Sequence, residues 1–362
     1  MGARYSTTCR MAVYTSATPS CGGAAIAFAS KSYLPSPPNP SDSNESLRSA
    51  PRDELVFAHL TDPHLTRPDP VNAADLANKR ILGYLSWRRR RHAIHRSDII
   101  EALVTDLHAQ SPDHIAVTGD LTQIGLPGEC RDARTWLENL GPSGKVSVVP
   151  GNHDQYVDAP WKETLGLWYD YMASDAGSAS NGLFPSIRVR GPVAFVGVSS
   201  VYPCPPLLAT GRVGKTQREA LEKVLRETSD RGLCRVVLIH HPPVPDSYKW
   251  RKRLEDARET CAILRSAGAD LVLHGHTHRL MLNELESETG SLPVFGLSSA
   301  SAGDHEFERR ARYFLYRVSR DDHGIGITWS SRVFDPESAE FRMESDWRSI
   351  SQIARALRAD QS

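Results

Sequence analysis

The 362-residue chain is 40% hydrophobic and 24% charged, which supplies the core of one large domain or two ordinary ones and excludes global disorder. Lys plus Arg and Asp plus Glu both total 43, so overall charge points neither to nucleic acid nor to an acidic membrane surface. The cysteines Cys9, Cys21, Cys130, Cys204, Cys234 and Cys261 are scattered, with no C-x-x-C pair and none of the density of a disulfide scaffold, and fit a reducing, cytoplasmic setting.

Residues 1–52 are rich in Ser, Thr, Ala and Pro, carry no acidic residue before Asp42 and show no sustained period. Such a segment cannot bury a core and is expected to be a disordered extension, with a targeting segment or a misassigned start as alternatives. Its apolar stretch Ala24 to Ala29 is shorter than the centre of a secretory signal, and nothing in the chain reaches the ~18 apolar residues of a membrane span.

From Leu55 the pattern changes to short apolar runs separated by helical segments, the signature of an α/β protein. The runs Leu55 to Leu60, Ile115 to Val117, Val146 to Val149, Val193 to Val198, Val236 to Ile239 and Leu271 to Leu273 predict buried strands. Helices are expected over Ile94 to Gln110, Glu129 to Leu140, Trp161 to Met172, Thr216 to Thr228 and Lys249 to Ala267. Past His278, Leu280 to Leu285, Pro293 to Leu297, Tyr313 to Val318 and Ile325 to Trp329 read as successive strands of a second sheet. Ser345 to Arg358 reads as a terminal helix. The expected fold is therefore two sheets packed face to face with helices outside both, formed by residues 53–335 and followed by a partly helical tail over 336–362.

Five of the apolar runs end in polar clusters: Asp62-Pro63-His64, Gly119-Asp120, Gly151-Asn152-His153-Asp154, His240-His241-Pro242 and Gly275-His276-Thr277-His278. In α/β sheets ligands bind beyond the carboxyl ends of strands, so these turns are expected to converge on one crevice. Each cluster alone has a plainer explanation: Asp62 or Asp120 capping a helix, or a histidine satisfied in the core. Bringing Asp62, His64, Asp120, Asn152, His240, His276 and His278 together without a cation would cost several kcal/mol in unpaired buried polar groups, which favours a metal centre.

In order and spacing the clusters match D-x-H, G-D, G-N-H-[DE], H-x-P and G-H-x-H, and Leu55 to Trp329 thereby resembles the calcineurin-like metallophosphoesterase superfamily. The resemblance implies a two-sheet sandwich flanked by helices, in four αββα layers. It further implies that Asp62, His64 and His278 hold one metal, that Asn152, His240 and His276 hold a second, and that Asp120 bridges them. His153 is implied beside the scissile phosphate, and Asp154 as a group that orients the ligands. In His240-His241-Pro242 two histidines compete. The family ligand usually stands two residues before the proline, which selects His240 and leaves His241 as the alternative.

Carboxylate, amide and imidazole ligands without a thiolate suit two divalent or mixed-valence ions of Mn, Fe, Zn or Mg. A bridging carboxylate lets two cations sit about 3.5–4 Å apart, clamp phosphate oxygens and activate a shared water, so that a metal-bridging hydroxide is the expected nucleophile. The expected activity is phosphodiester hydrolysis, with closest likeness to bacterial enzymes acting on cyclic nucleotides. The alternatives are pyrophosphate hydrolysis of a nucleotide-sugar lipid, phosphomonoester hydrolysis, or a phosphate-binding scaffold without turnover.

Two other patterns carry no chemistry: Gly214-Lys215-Thr216 lacks the upstream glycine of a phosphate loop, because position 209 is Ala209, and Ser298 to Ser301 has no G-x-S-x-G elbow. Between the first two ligand clusters, Leu76 to Arg96 runs from Ile81, Leu82, Tyr84, Leu85 and Trp87 into Arg88, Arg89, Arg90, Arg91, His92, His95 and Arg96. Its plain reading is a surface helix with a solvated basic end. Its sharper reading is a lobe that meets a small phosphorylated or lipid-linked substrate, or touches an anionic membrane peripherally.

Overall fold

The computed structural model describes residues 54–350 except 66, 69–70, 178–181, 289 and 322–323, so the expected N-terminal extension lies outside the described residues. The strands are β1 (Glu54–Leu60), β2 (His114–Val117), β3 (Val146–Val148), β4 (Ser186–Arg190), β5 (Val193–Val198), β6 (Cys234–Ile239), β7 (Leu271–His274), β8 (Met281–Ser287), β9 (Gly290–Gly296), β10 (Arg312–Asp321), β11 (Gly324–Asp335) and β12 (Glu340–Ser349). They form two six-stranded sheets, one in the order β12-β11-β10-β1-β2-β3 and the other β4-β5-β6-β7-β9-β8. Strands β1, β2 and β3 run parallel in the first sheet, and β5, β6, β7 and β9 run parallel in the second.

The central strands read as unbroken apolar runs because both their faces are buried. In β1, Leu55 and Phe57 turn to the inter-sheet core, while Ala58 and Leu60 pack on the outer face. Phe57 stacks on Tyr316 of β10 (ring centroids 4.8 Å apart) and meets Phe195 of β5 edge-on at 5.0 Å, so one ring ties the two sheets together. Outside the first sheet, Leu103 and Leu107 of the helix Ser97–Gln110 and Ala133 and Leu137 of the helix Pro127–Leu140 complete a second core. Outside the second sheet, Leu221 and Leu225 of the helix Lys215–Asp230 join Leu264 of the helix Ala257–Ser266 in a third. The architecture is thus the expected αββα sandwich.

Several local expectations are corrected. The strands after His278 do not make a sheet of their own: β8 and β9 complete the sheet of β4 to β7, whereas β10 pairs antiparallel with β1 and draws β11 and β12 into the first sheet. Ser345 to Ser349 is strand rather than the start of a helix, because β12 alternates, turning Phe341 and Ser345 inward; Ser351 to Arg358 of that predicted helix lies outside the described residues. The sheet consequently runs past the predicted boundary at residue 335. Trp161 to Met172 is not one helix but short turns, Trp161–Glu163, Leu165–Trp168 and Tyr169–Met172, with Gly166 so close to Trp161 that a Cβ would collide with it. The Lys249 to Ala267 helix starts only at Ala257, because Leu254 is drawn into a bridge with Gly211. No helix of the described residues is long and apolar enough to cross a membrane, and Cys130, Cys204, Cys234 and Cys261 are free and buried.

Candidate metal centre

All five polar clusters follow the carboxyl ends of strands: β1, β2 and β3 in one sheet, and β6 and β7 in the other. The parallel packing of the two sheets therefore brings the turns to a common edge. Getting there strains the backbone. Of nine non-glycine residues with positive φ among the described residues, five are Asp62 (51°), His64 (42°), Asp120 (56°), His276 (69°) and His278 (53°). A left-handed conformation costs an L-residue about 1 kcal/mol or more, and it persists where surrounding contacts over-determine it. Close approach explains two motif glycines as well: a Cβ on Gly151 would collide with Asp120, and one on Gly275 with Thr61 and Asp62.

Side-chain geometry separates two ligand groups that share one carboxylate. On the first side, His278 Nε2 lies 3.2 Å from Asp62 Oδ1 and 3.3 Å from His64 Nε2, which is 3.9 Å from Asp120 Oδ2. On the second side, His240 Nε2 lies 3.4 Å from the same Asp120 Oδ2 and 3.2 Å from Asn152 Oδ1. One ligand-type atom from each of Asp62, His64, Asp120 and His278 falls within a mutual 4.8 Å, as does one from each of Asp120, His240 and His276. Apart from His278, whose side chain is 29% exposed, these residues are buried.

Backbone carbonyls fix which ring nitrogen faces inward. His64 Nδ1–H donates to the Thr122 carbonyl (2.9 Å), His240 Nδ1–H to that of Thr118 (2.7 Å) and His276 Nε2–H to that of Lys252 (2.9 Å). The opposite nitrogens therefore point at acceptors: carboxylate, amide oxygen and other imidazoles. Burial holds His64 and His276 well below the usual histidine pKa, in the neutral form that ligates metal. His240 is the exception: burial opposes its charge, yet the charge and hydrogen bond of Asp120 push its pKa up to about 9, while Asp120 is held well below the carboxylate range. This cluster concentrates positive charge, as a proton or a metal, and its donor set fits oxygen- and nitrogen-preferring divalent ions.

The remaining predicted residues take distinct places. Asp154 is buried with Oδ2 accepting from the amides of Asp120 (2.9 Å) and Gly151 (2.8 Å) and Oδ1 from Thr122 (2.9 Å), so it staples two ligand turns and faces no open site. Burial and the neighbouring Asp120 charge push its pKa up to about 7. His153 donates its backbone N–H to Asp120 Oδ1 (2.7 Å), and its ring stands 5.0 Å from that of His64. Its Nδ1 lies 2.5 Å from the Gln123 carbonyl, which commits the ring proton there, and burial lowers its pKa to about 3. His241 turns away, with Nδ1 on Ser200 Oγ (2.8 Å) and Nε2 on the Ala209 carbonyl (3.2 Å), and the structure brings His240 rather than His241 to Asp120.

Three contributors were not read as site residues from sequence. His95 places a ring nitrogen within 4.8 Å of those of His64 and His278, and its Nδ1 is paired with Ser301 Oγ at 2.8 Å. Arg91 Nη1 lies 3.0 Å from His153 Nδ1. Ser299 Oγ–H donates to the Asp62 carbonyl (2.6 Å), which gives the serine run a buttressing part. The position of His95 and Arg91 between two ligand clusters was the available signal.

The chain is similar to several known proteins. It is 26% identical over 184 residues to a probable cyclic nucleotide phosphodiesterase of Synechococcus sp., a match covering 50% of this chain and 64% of that relative's length. Solved structures with a similar fold include a dimetal phosphatase from Danio rerio (13% identity, TM-score 0.47, covering 82% of this chain and 98% of that one). Purple acid phosphatase PPD1 of yellow lupin is another (12%, TM-score 0.49, 82% and 54%). The family model for calcineurin-like phosphoesterases matches residues 55–280, the span that carries all five ligand turns, and the chain belongs to that family.

Proposed function

We propose that the protein is a dinuclear-metal phosphohydrolase that cleaves phosphodiesters, cyclic nucleotides being the first substrates to test. The observation that carries this reading is Asp120 Oδ2, set between His64 Nε2 and His240 Nε2, so that one carboxylate serves both ligand groups. Asp62, His64, Asp120 and His278 would hold one divalent cation, and Asp120, Asn152, His240 and His276 the other. Bound there, such a pair neutralises phosphoryl charge and lowers the pKa of water.

The chain's own residues then have definable tasks. Asp154 fixes the Asp120 and Gly151 turns in relation to each other, and the three carbonyl-anchored histidines present fixed nitrogens, so little reorganisation accompanies loading. His153 stands at the edge of the centre with its Nδ1 proton held by Gln123, and its Nε2, an acceptor in that tautomer, lies 3.4 Å from Arg91 Nη1. Diester preference draws support from the named activity of the cyanobacterial relative.

The test is the full chain reconstituted with Mn and screened against cyclic nucleotides, nitrophenyl diesters, nucleotide pyrophosphates and monoesters. Diesters are expected to give the highest kcat/KM. Faster turnover of pyrophosphates or monoesters would replace the diester reading, and no turnover of any class would overturn the enzymatic one.

A further inference from the structure

The helical lobe before β2 delivers a single charged side chain to the centre. Residues 80–94 run as the helix Arg80–Ser86, a wider π turn over Trp87–Arg91 and the short turn His92–Ile94. Such a turn shifts the phase of the side chains that follow it. In the run of four arginines, Arg88, Arg89 and Arg90 are exposed, whereas Arg91 turns inward on the side of buried Trp87.

The guanidinium of Arg91 is held by uncharged partners, with the Asp120 and Glu129 carboxylates acting on it only from beyond ion-pair distance. Nη2–H donates to the Gly83 carbonyl (2.8 Å), which braces the side chain against its own helix. Nη1 lies 3.0 Å and 3.4 Å from the two ring nitrogens of His153, and Nδ1 of that ring already spends its proton on Gln123. Arg91 Nε is buried without a hydrogen-bond partner, and none of the ion pairs among the described residues includes Arg91. A half-buried guanidinium with no carboxylate at ion-pair distance, its Nη1 beside His153 at the edge of the centre, keeps donor capacity there for an anion.

The lobe is also fixed in place. Arg80 donates to the carbonyls of Ile124 (3.0 Å) and Gly125 (2.6 Å). One turn beyond Arg91, His95 bridges to Ala302, and Arg96 N–H donates to the Ser301 carbonyl (3.0 Å). Arg91 is thus carried between two anchored points, which limits the ordering needed when it meets a ligand.

We propose that Arg91 is an anion-binding residue of the centre, donating through its Nη1 N–H groups to the oxygens of a phosphate or phosphoester. A planar fork of donors suits that shape better than an ammonium does. The inference rests on the phosphohydrolase reading and adds to it a recognition residue supplied by the lobe.

The test measures inorganic phosphate binding to the Mn-reconstituted full chain by calorimetry, with metal content and circular dichroism recorded for each variant. Arg91→Ala is expected to weaken phosphate about 10- to 100-fold, the range for losing a charge-assisted pair, with metal content unchanged. Arg91→Lys should recover only part, and added guanidinium should partly rescue Arg91→Ala. Replacing Arg88, Arg89 and Arg90 together with Gln should stay within about twofold of wild type, as for exposed charges generally. Wild-type-like phosphate binding by Arg91→Ala overturns the proposal, as does an equal loss in the triple variant. If Arg91→Ala does not fold, wild-type-like binding by Arg91→Lys does the same. Failure of the phosphohydrolase reading is separate: it shows in the wild-type chain, as absence of both phosphate binding and ester hydrolysis.

Discussion

Asp62, Asp120, Asn152, His240 and His276 stand on turns directly after buried strands, whereas Arg91 and His95 ride on a helical lobe that exposes Ile81, Leu82 and Leu85. The strand-end turns are locked by backbone: carbonyls of Thr118, Thr122 and Lys252 orient the histidines, and the Asp154 carboxylate ties the Asp120 turn to the Gly151 turn. The lobe is locked by side chains and a few loop contacts. On the proposed reading the strand-end turns form a rigid floor, on which substitution should remove metal, and the lobe forms a separately anchored wall, on which substitution should alter what binds there.

The largest effect should come from the residue the two ligand groups share. Asp120→Ala is expected to abolish binding of both metals and reduce hydrolysis by more than ~100-fold, the loss that removing even an outer partner of a ligand can reach. His278→Ala, on the partly exposed rim of the first side, should lose one metal and keep the other. Elemental analysis of both variants checks this. Equal retention of one metal in each would break the distinction between a bridging and a terminal ligand.

The raised pKa of His240 gives a pH signature. Before metal binds, a pKa of about 9 leaves the ring protonated at neutral pH, so the metal on its side must displace that proton. Apparent metal affinity should therefore rise with pH and level off above about 9, falling about tenfold per unit below it. Calorimetry in buffers of different ionisation enthalpy should show proton release near pH 7. Metal affinity that is flat between about pH 6 and 8 would remove the Asp120–His240 pair as its source.

These strand-end residues were legible in the sequence because a buried parallel strand is a continuous apolar run and its carboxyl end is where ligand residues belong. Less visible features depended on distant partners. β4 carries Arg188 and Arg190, which look solvent-facing until Arg188 is seen donating to the Ala173 and Val146 carbonyls and Arg190 pairing with Asp175. β12 mixes charged residues with its buried Phe341, and its strand period is set by pairing with β11. Four consecutive arginines cannot reveal which one turns inward, because the π turn over Trp87–Arg91 sets that phase.

His153 lies where floor and wall meet. His153→Ala should keep both metals, since its ring is on Gln123 and beside Arg91 rather than in either ligand group. With its one ring proton on Gln123, His153 has none at Nε2 to give unless substrate supplies it, so a loss of about 10²–10⁴-fold for alkoxide diesters, well above that for nitrophenolate, would show Nε2 protonated in the substrate complex. A uniform loss across leaving groups would assign His153 to holding Arg91 and Gln123 in place. Loss of metal would move it into the floor.

The smallest effect on turnover should come from the outer face of the lobe. Arg88, Arg89 and Arg90 are exposed, and so are Ile81, Leu82 and Leu85 on the preceding helix. None of the six contributes to a ligand group, so replacing the three arginines with Gln should leave kcat/KM for a small nitrophenyl diester within about twofold of wild type. Co-sedimentation with anionic vesicles supplies the second reading, because each basic residue near such a surface adds about 1 kcal/mol at physiological salt. Salt-sensitive binding that the triple variant loses would make this face a surface contact and bring lipid-linked substrates forward. Equal, negligible binding by both proteins would leave it a solvated helix end. A tenfold fall in turnover of the small diester would erase the division between Arg91 and its three neighbours.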